Sequence, residues 1–312
     1  MKSPAFHTHV GARGEFDVAI ARVGSDGKTD LRPVLTNRPN LITDLGLDRL
    51  GTMQIFLPFT WLQVGTGNTA PANGDTNLVS RVTTINTGSW EQSFSGPDVV
   101  FTRVFTFPTG AAAGNLAELG LSATNTGTVS TRALFTDSEG GPVTVTVLAD
   151  EQLIVTYRLI FSCATADSVW TGTVQGTPYT LTLRPSSLGS GSVHPNDVNA
   201  SSISVLAQGD WNSNVGELYH GAASAIGATN SVPTGTSVIY VKGAVTQQTY
   251  TPGTYYRDCR ITGGLSMFNH TNIGAFRMHG VPFFFQLGIS PRVTKVNTEV
   301  ITLDFRLSWG RA

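Results

Sequence analysis

The segment from Val64 to Leu78 invites a catalytic interpretation, because Gly65 and Gly67 could shape a loop that cradles phosphate. Such a cradle needs its glycines to open a helix, since the helix N-terminus supplies the amide donors. No Gly-Lys-Ser/Thr closes this segment, and turn-forming residues prolong it instead: Pro71, Asn73, Gly74 and Asp75. We therefore predict a shaped loop without catalytic chemistry, which Asp75 and Thr76 end by hydrogen-bonding its own backbone.

Histidine offers a second possible chemistry. His7 and His9 are separated by one residue, so a strand would place both imidazoles on one face. Three such strands around a threefold axis would present six nitrogens, an octahedral set suited to iron. The alternative is a pair of solvated histidines near an exposed N-terminus, and we favour it because nothing apolar surrounds them. The remaining histidines lack metal-ligand spacing: His194, His220, His270 and His279.

Residues for nucleophilic or acid–base catalysis are not grouped in a recognisable pattern. There is no Gly-x-Ser-x-Gly elbow, and Cys163 and Cys259 lie in apolar strand contexts that favour buried thiols over a single disulfide. Candidate carboxylates for glycoside hydrolysis are scattered, and two of them sit in a glycine-rich turn: Asp137, Glu139, Asp150, Glu151 and Glu217. We predict no enzyme activity, no catalytic residue and no cofactor.

Aromatic residues are the more suggestive binding candidates. They could line a sugar-binding platform or a contact between subunits, or they could be buried in one sandwich. The candidates are Trp211, Tyr255, Tyr256, Phe283, Phe284 and Phe285, to which the loop adds Gly65, Gly67 and Asp75. A strand through three consecutive phenylalanines must place rings on both of its faces.

Composition limits the possible partners. Charged residues make up 13% of the chain and the net charge is -1, so there is no basic surface for nucleic acid. Low charge is a weak way to keep a monomer soluble, which favours a protein that is surrounded by neighbours in an assembly. No apolar run approaches the ~20 residues of a membrane helix, and the N-terminus has no secretory signal pattern. We expect a soluble chain made in a cytoplasm, without membrane insertion.

The elements that must position these residues are mainly strands. Residues 15–23 and 30–35 predict a hairpin across Ser25–Lys28, residues 143–147 and 151–161 a second, and residues 170–174 and 179–183 a third. One short helix is predicted after Asn40 as its N-cap, with Gly51 at its end. The predicted fold class is all-β, an antiparallel β-sandwich or jelly roll. We divide it into N-terminal strands (1–35), a first sandwich (36–185), a linker (186–200) and a second sandwich (201–312).

The two halves share a sequence pattern. The stretch from Glu151 to Phe161 matches the stretch from Glu299 to Trp309, and Gly120–Ser122 corresponds to Gly264–Ser266. Phe101 and Arg103 likewise correspond to Tyr255 and Arg257. A duplicated sandwich would produce this order. Convergence would too, because long strands with one buried face alternate in the same way.

Several motifs together are similar to structural proteins from the tails of bacteriophages. They are Asn40-Leu-Ile-Thr-Asp-Leu-Gly-Leu47, Val64-Gly-Thr-Gly67, Ala70-Pro71, Asp75-Thr-Asn-Leu78, Glu118-Leu-Gly-Leu121 and Ala133-Leu-Phe-Thr-Asp137. The resemblance covers roughly residues 36–161. It implies an oligomeric virion component, commonly trimeric or ring-forming, and provides no catalytic residues.

These observations lead to a functional expectation. The chain is predicted to be a bacteriophage virion protein, specifically a tail fibre, fibre anchor or minor tail protein. It would form a homo-oligomer, a trimer or a ring, and dock other tail proteins. Its expected location is the virion, which is assembled in the cytoplasm of the host bacterium. Two alternatives stay open: a tail protein that binds a host surface glycan, and a capsid decoration protein.

Overall fold

The computed structural model describes residues 7–95, 97–186, 203–205, 214–229, 231–241, 245–265, 269–278 and 280–312. The elements up to residue 163 are β1 (His7–Val23), β2 (Thr29–Ile42), α1 (Asp44–Thr52), a 3-10 turn (Leu57–Phe59), β3 (Trp61–Gly65), β4 (Arg81–Ile85), β5 (Glu91–Ser95), β6 (Asp98–Thr106), β7 (Gly114–Leu116), β8 (Glu118–Ser122), β9 (Val129–Leu134), β10 (Val145–Val147) and β11 (Glu151–Cys163). The later elements are β12 (Ser168–Val174), β13 (Thr177–Ser186), β14 (Ser204–Val205), β15 (Asn214–Ala225), β16 (Thr234–Val241), β17 (Val245–Gln247), β18 (Tyr256–Gly263), β19 (His270–Met278), β20 (Gly280–Val281), β21 (Phe284–Lys295) and β22 (Ile301–Arg311).

Strands dominate this list, and within the described ranges α1 is the single α-helix. The strand pairs along the sheets are antiparallel, for example β1 with β2, β8 with β9, and β13 with β21. The predicted all-β, sandwich-type fold with one short helix is therefore confirmed.

The chain forms two compact units. The N-terminal unit contains Ala12–Ser93, Val99–Phe161 and Arg311–Ala312, and the C-terminal unit contains Met1–Gly11, Phe94–Asp98 and Ser162–Gly310. The sequence-based divisions at residues 35, 185 and 200 cut the chain at other places. Clusters of turn residues reveal where strands end, but they do not reveal which distant strands pair. Apart from Ser186, the predicted linker lies outside the described residues.

The N-terminal unit contains a sheet with the strand order β4-β3-β8-β9-β2. β1 and β2 form the hairpin that the sequence predicts, with Val23 opposite Thr29. Aromatic rings fill the core of this unit; Phe101 and Phe161, for instance, meet edge to face at 6.0 Å. Burial of each such ring stabilises the fold by about 1.5–3 kcal/mol.

The helix begins later than the sequence predicts. Asn40 is not its cap but belongs to β2. Thr43 is the N-cap, and its Oγ1 accepts a hydrogen bond of 3.1 Å from the Gly46 amide. The strand runs on because Ile42 pairs with Thr131 of β9. Gly51 lies inside the helix rather than after it.

Close packing explains why a glycine, Gly46, lies inside this helix. A Cβ at this position would lie closer than 3.0 Å to the carbonyl oxygen of Ser130. The absent side chain therefore allows α1 to lie directly against β9, which offsets the low helix propensity of glycine.

The second predicted hairpin is wrong. β10 pairs with β7, where Val145 lies opposite Leu116, whereas β11 pairs with β6. The turn between β10 and β11 is tight, because the Leu148 amide donates to the Glu151 carboxylate at 2.8 Å. An alternating pattern establishes that each strand has one buried face, but it does not identify the partner strand.

The C-terminal unit contains a six-stranded sheet with the order β12-β13-β21-β19-β15-β16 and a second set with the order β17-β18-β22. β12 and β13 form the third predicted hairpin, in which Val174 lies opposite Thr177. Gln175 and Gly176 have φ angles of 50° and 79°, as the two central residues of a type I′ turn require.

The duplication of the two halves stays a prediction. Gly120 lies within β8, whereas its proposed counterpart Gly264 follows the end of β18 and is not in a strand. The proposed counterpart of Ser122 lies outside the described residues. The corresponding pairs β6–β11 and β18–β22 do each join a middle strand to the closing strand of its half.

Candidate functional site

The loop between β3 and β4, residues 66–80, is the best-defined candidate site. Two buried charged residues from neighbouring strands hold it: Glu118 of β8, with an exposed fraction of 0%, and Arg132 of β9, with 2%. Their strands are adjacent, with Arg132 opposite Gly120, so both side chains lie on the same face. We call Glu118, Arg132 and Asp75 the loop clamp.

Arg132 joins the sheet to the loop at several points. Its guanidinium lies 3.0 Å from the Glu118 carboxylate and 2.6 Å from that of Asp75. It also donates to the Thr69 carbonyl at 2.7 Å. The planar guanidinium carries five N–H donors in fixed directions, so one side chain can hold several oxygens of the loop.

Glu118 accepts hydrogen bonds from the loop, whereas Arg132 donates them. One carboxylate oxygen accepts from the Gly67 amide at 3.1 Å and from the Ser80 amide at 2.8 Å, and the other accepts from the Val79 amide at 3.2 Å. The carboxylate therefore connects the two ends of the loop. A buried charge is tolerated when it is paired and hydrogen-bonded in this way.

Gly65 and Gly67 make this approach possible. A Cβ on either residue would lie closer than 3.0 Å to the Glu118 carboxylate. Neither glycine has a positive φ angle, so close approach rather than backbone freedom explains them. The candidate residues Gly65, Gly67 and Asp75 are thus brought together around the clamp.

The prediction for the end of the loop is confirmed for Asp75. Its carboxylate accepts from the Ala72 amide at 2.8 Å. Partial burial opposes ionisation, but this amide and the Arg132 guanidinium lower the pKa of Asp75 below its usual value. The prediction is wrong for the Thr76 side chain, whose hydroxyl accepts from the side-chain amide of Asn77 at 3.2 Å.

The loop also docks onto the rest of the N-terminal unit through its own carbonyls. The Asn73 carbonyl accepts from the amide of Asp44 at the start of α1, and the Thr76 carbonyl accepts from Val129. The Asp44 amide at the helix N-terminus is therefore occupied by the loop backbone. What the loop presents to solvent is mostly small and uncharged: Thr66, Asn68, Thr69, Ala70, Ala72, Asn73, Gly74, Thr76, Asn77, Val79 and Ser80.

In the part of the chain that the structure describes, the aromatic candidates do not form one exposed platform. The three consecutive phenylalanines are buried: Phe283, Phe284 and Phe285. On the second face of β21, the Arg277 guanidinium covers Phe284 at 4.6 Å from the ring centroid. Tyr256 stacks under Arg306 at 3.6 Å, and Tyr255 has a φ of 53°. Trp211 lies outside the described residues.

The histidines make contacts of other kinds. His9 Nδ1 lies 2.9 Å from Ser308 Oγ, and burial together with the neighbouring His7 lowers the pKa of His9. His7 is exposed. The rings of His220 and His270 stack at 4.2 Å. Where the structure describes the chain, no group of three or more His, Cys, Asp or Glu side chains could hold a metal ion. His194 and His279 lie outside the described residues.

The possible nucleophiles and carboxylates are used structurally. Cys163 and Cys259 are free thiols and buried, and burial raises the pKa of Cys163 to about 12. Asp137 accepts from the amides of Glu139 and Gly141 within its turn. Glu217 accepts from the Tyr219 hydroxyl at 2.6 Å.

Sequence reasoning missed the central role of Glu118 and Arg132. A signal was present for Glu118, which stands beside the leucines of a short strand, Glu118–Ser122, whereas Arg132 lies in a strand of mixed sequence, Val129–Leu134. Buried charges in strands indicate a pair or a network. The loop partners lie 38 to 63 residues earlier in the chain, so sequence spacing alone does not connect them.

No helix among the described residues has the length and apolar character needed to cross a membrane. The chain matches no protein-family model, and neither curated proteins nor solved structures give a significant match.

Proposed function

We propose that this protein is a structural component of a bacteriophage virion, most specifically a tail protein that forms a homo-oligomer and docks other tail proteins. The observation that carries the proposal is the loop clamp. Its buried charges contact loop backbone and each other, so they give the loop a fixed shape. A loop of fixed shape with a small, uncharged surface suits docking, because little conformational entropy is lost on binding.

The sequence resemblance supports the same function. The clamp lies within residues 36–161, the region similar to phage tail proteins, and Gly65, Gly67, Asp75 and Glu118 belong to the motifs of that resemblance. The low charge of 13% is also consistent with a surface that is covered in an assembly.

The glycan-binding alternative has less support from the aromatic residues. Sugar stacking needs exposed rings, and the three consecutive phenylalanines are buried. The capsid decoration alternative differs from the tail proposal only in the position of the protein on the particle, so labelling of the particle separates them.

Immunogold electron microscopy of phage particles, with antibodies raised against the purified chain, tests the proposal. We expect gold at the tail. Gold on the capsid would favour decoration, and absence of label from particles that are otherwise intact would contradict a virion role.

A pair of variants tests the docking role of the loop. Asn68→Arg places a charge on the exposed loop, and Asn297→Arg places the same charge on an exposed turn elsewhere. We expect Asn68→Arg to lower incorporation of the protein into particles by at least ~10-fold and Asn297→Arg to leave it unchanged. Equal incorporation of the two variants would remove the loop from the docking surface.

A further inference from the structure

We infer that β12 is a self-association edge through which two copies of this chain pair about a twofold axis. β12 is a terminal strand of the six-stranded sheet, and in the part of the chain that the structure describes it pairs only with β13. The Ser168 hydroxyl at its start accepts a hydrogen bond of 2.9 Å from the His7 amide. No second strand of the described residues pairs along its outer side, which leaves a template for another strand. This inference does not depend on the proposed virion function.

The outer side of β12 lacks the features that normally prevent strand pairing. The strand reads Ser-Val-Trp-Thr-Gly-Thr-Val, with no charged residue and no proline. The edge segment of β2 in the N-terminal unit, by contrast, carries Asp30, Arg32 and Pro33, and among the described residues this segment pairs with β1 alone. Charges and proline are the usual protection of a free edge. One edge is thus protected and the other is not.

Exposed apolar side chains lie on both edges, but Leu31 of β2 stands between Asp30 and Arg32, whereas those of β12 have no charged neighbour in their strand. Val169 and Val174 have exposed fractions of 53% and 52%, and both lie on β12. β-branched residues on an exposed strand are favourable partners for a second strand.

The occupant is a second copy because the strand is complementary to itself. If two β12 strands run antiparallel with Thr171 opposite its own equivalent, Trp170 lies opposite Gly172 of the other copy. On the opposite face, Val169 lies opposite Thr173. Each large residue meets a small one or a β-branched one, and no like charges meet.

Gly172 is already shaped to accept an indole ring. Trp170 covers Gly172 of its own strand so closely that a Cβ there would lie under 3.0 Å from the ring. In the paired arrangement each glycine lies between the Trp170 of its own strand and that of the second copy. An aromatic ring over a strand glycine compensates for the missing side chain.

Cysteine cross-linking of the full-length protein tests the axis directly. In Thr171→Cys the two introduced thiols would have Cβ atoms about 5 Å apart, within disulfide reach. Thr173→Cys is the matched control. It replaces the same residue type at another exposed position of the same face, but its thiols would lie about 13 Å apart, four residues along the strand. The native thiols are buried and contribute little background.

We expect covalent dimers from Thr171→Cys at least ~10-fold more abundant than from Thr173→Cys under mild oxidation. Equal cross-linking of the two variants, or none in either, would overturn the twofold pairing. Pairing of β12 with β16 of another copy, the other uncharged end of this sheet, would appear as rings or longer assemblies without Thr171→Cys dimers and would also overturn it.

Sedimentation equilibrium of the wild-type chain and two lysine variants gives a second measurement. Thr171→Lys places two ammonium groups next to each other at the axis, whereas Thr173→Lys adds the same charge away from it. We expect the dimer dissociation constant to rise at least ~10-fold more for Thr171→Lys than for Thr173→Lys. A wild-type protein that stays monomeric at all concentrations would contradict the inference, whatever the location of the protein in a particle.

Discussion

The loop clamp of the N-terminal unit and the ion pairs between β18 and β22 of the C-terminal unit use the same kinds of side chain for different purposes. In the clamp, buried Arg132 and Glu118 hold loop backbone as well as each other. Between β18 and β22, Arg260 faces Asp304 directly across the strands and forms two bonds of 2.7 and 2.8 Å with it. Both of these side chains are about one-third exposed.

The difference shows that burial and partners, rather than the number of ion pairs, determine the structural role. An exposed ion pair adds little to stability, because each charge gives up contacts with water to form it. Water does not solvate a buried charge, so removal of its partner leaves the charge uncompensated. We therefore expect the clamp to dominate local stability and the surface pair to be nearly dispensable.

Arg132→Met gives the largest expected effect. The substitution keeps much of the apolar volume but leaves the Glu118 carboxylate buried without its guanidinium. We expect the free energy of unfolding to fall by about 3–5 kcal/mol. Urea denaturation followed by circular dichroism measures this, and a loss below ~1 kcal/mol would indicate that water or another group replaces the arginine.

Gly67→Ala comes next. Its Cβ would lie closer than 3.0 Å to the Glu118 carboxylate and to Val79. We expect a loss of about 1–3 kcal/mol, because the carboxylate would have to leave the loop amides. Gly74→Ala is the control, since a Cβ there meets nothing within 4 Å. Equal effects of the two alanines in thermal unfolding would contradict the close approach.

Asp75→Asn tests the third member of the clamp through pH. Because the folded-state pKa of Asp75 lies below the unfolded value of about 3.9, its contribution is complete above that value and disappears as the pH falls through the folded pKa. We expect the free energy of unfolding of the wild type to exceed that of the variant by about 1 kcal/mol at pH 7. This difference should shrink as the pH falls below about 4. A gap that is constant down to pH 2, measured in urea titrations, would exclude the linkage.

Asp304→Asn gives the smallest expected effect. The pair is accessible to water and salt, so its attraction is weak. Salt weakens it further, because the Debye screening length is only about 3 Å at 1 M ionic strength. We expect a small fall of the unfolding midpoint in low salt that vanishes in 1 M NaCl. A loss comparable to that of Arg132→Met would show that this surface pair is not the dispensable counterpart of the clamp.

Sequence patterns predicted the parts of the fold that depend on local signals. β12 and β13 form the expected hairpin, although its turn is Gln175–Gly176 alone, because β13 begins at Thr177 instead of Tyr179. The fold class follows from the alternating strands. The partner of β10 could not be predicted, because alternation is the same whichever strand lies alongside. The N-cap moved from Asn40 to Thr43 because pairing with β9 extends β2.

The candidate site was predictable to a similar extent. The shape-forming role of the loop and the bond from Asp75 to its own backbone follow from turn chemistry within a few residues. The contributions of Glu118 and Arg132 depend on strands that meet only in the folded chain. A glutamate within an apolar strand indicates a buried charge, but its partners come from tertiary structure.

Amide hydrogen exchange at Gly67, Val79 and Ser80 tests the central claim most directly. These amides belong to a loop with an exposed surface, and the Glu118 carboxylate holds all three. The clamp predicts that they exchange at least ~100-fold more slowly than the same residues in an unfolded peptide. Exchange at the unfolded rate at all three positions would show that the loop is not held, and the proposed docking surface would lose its basis.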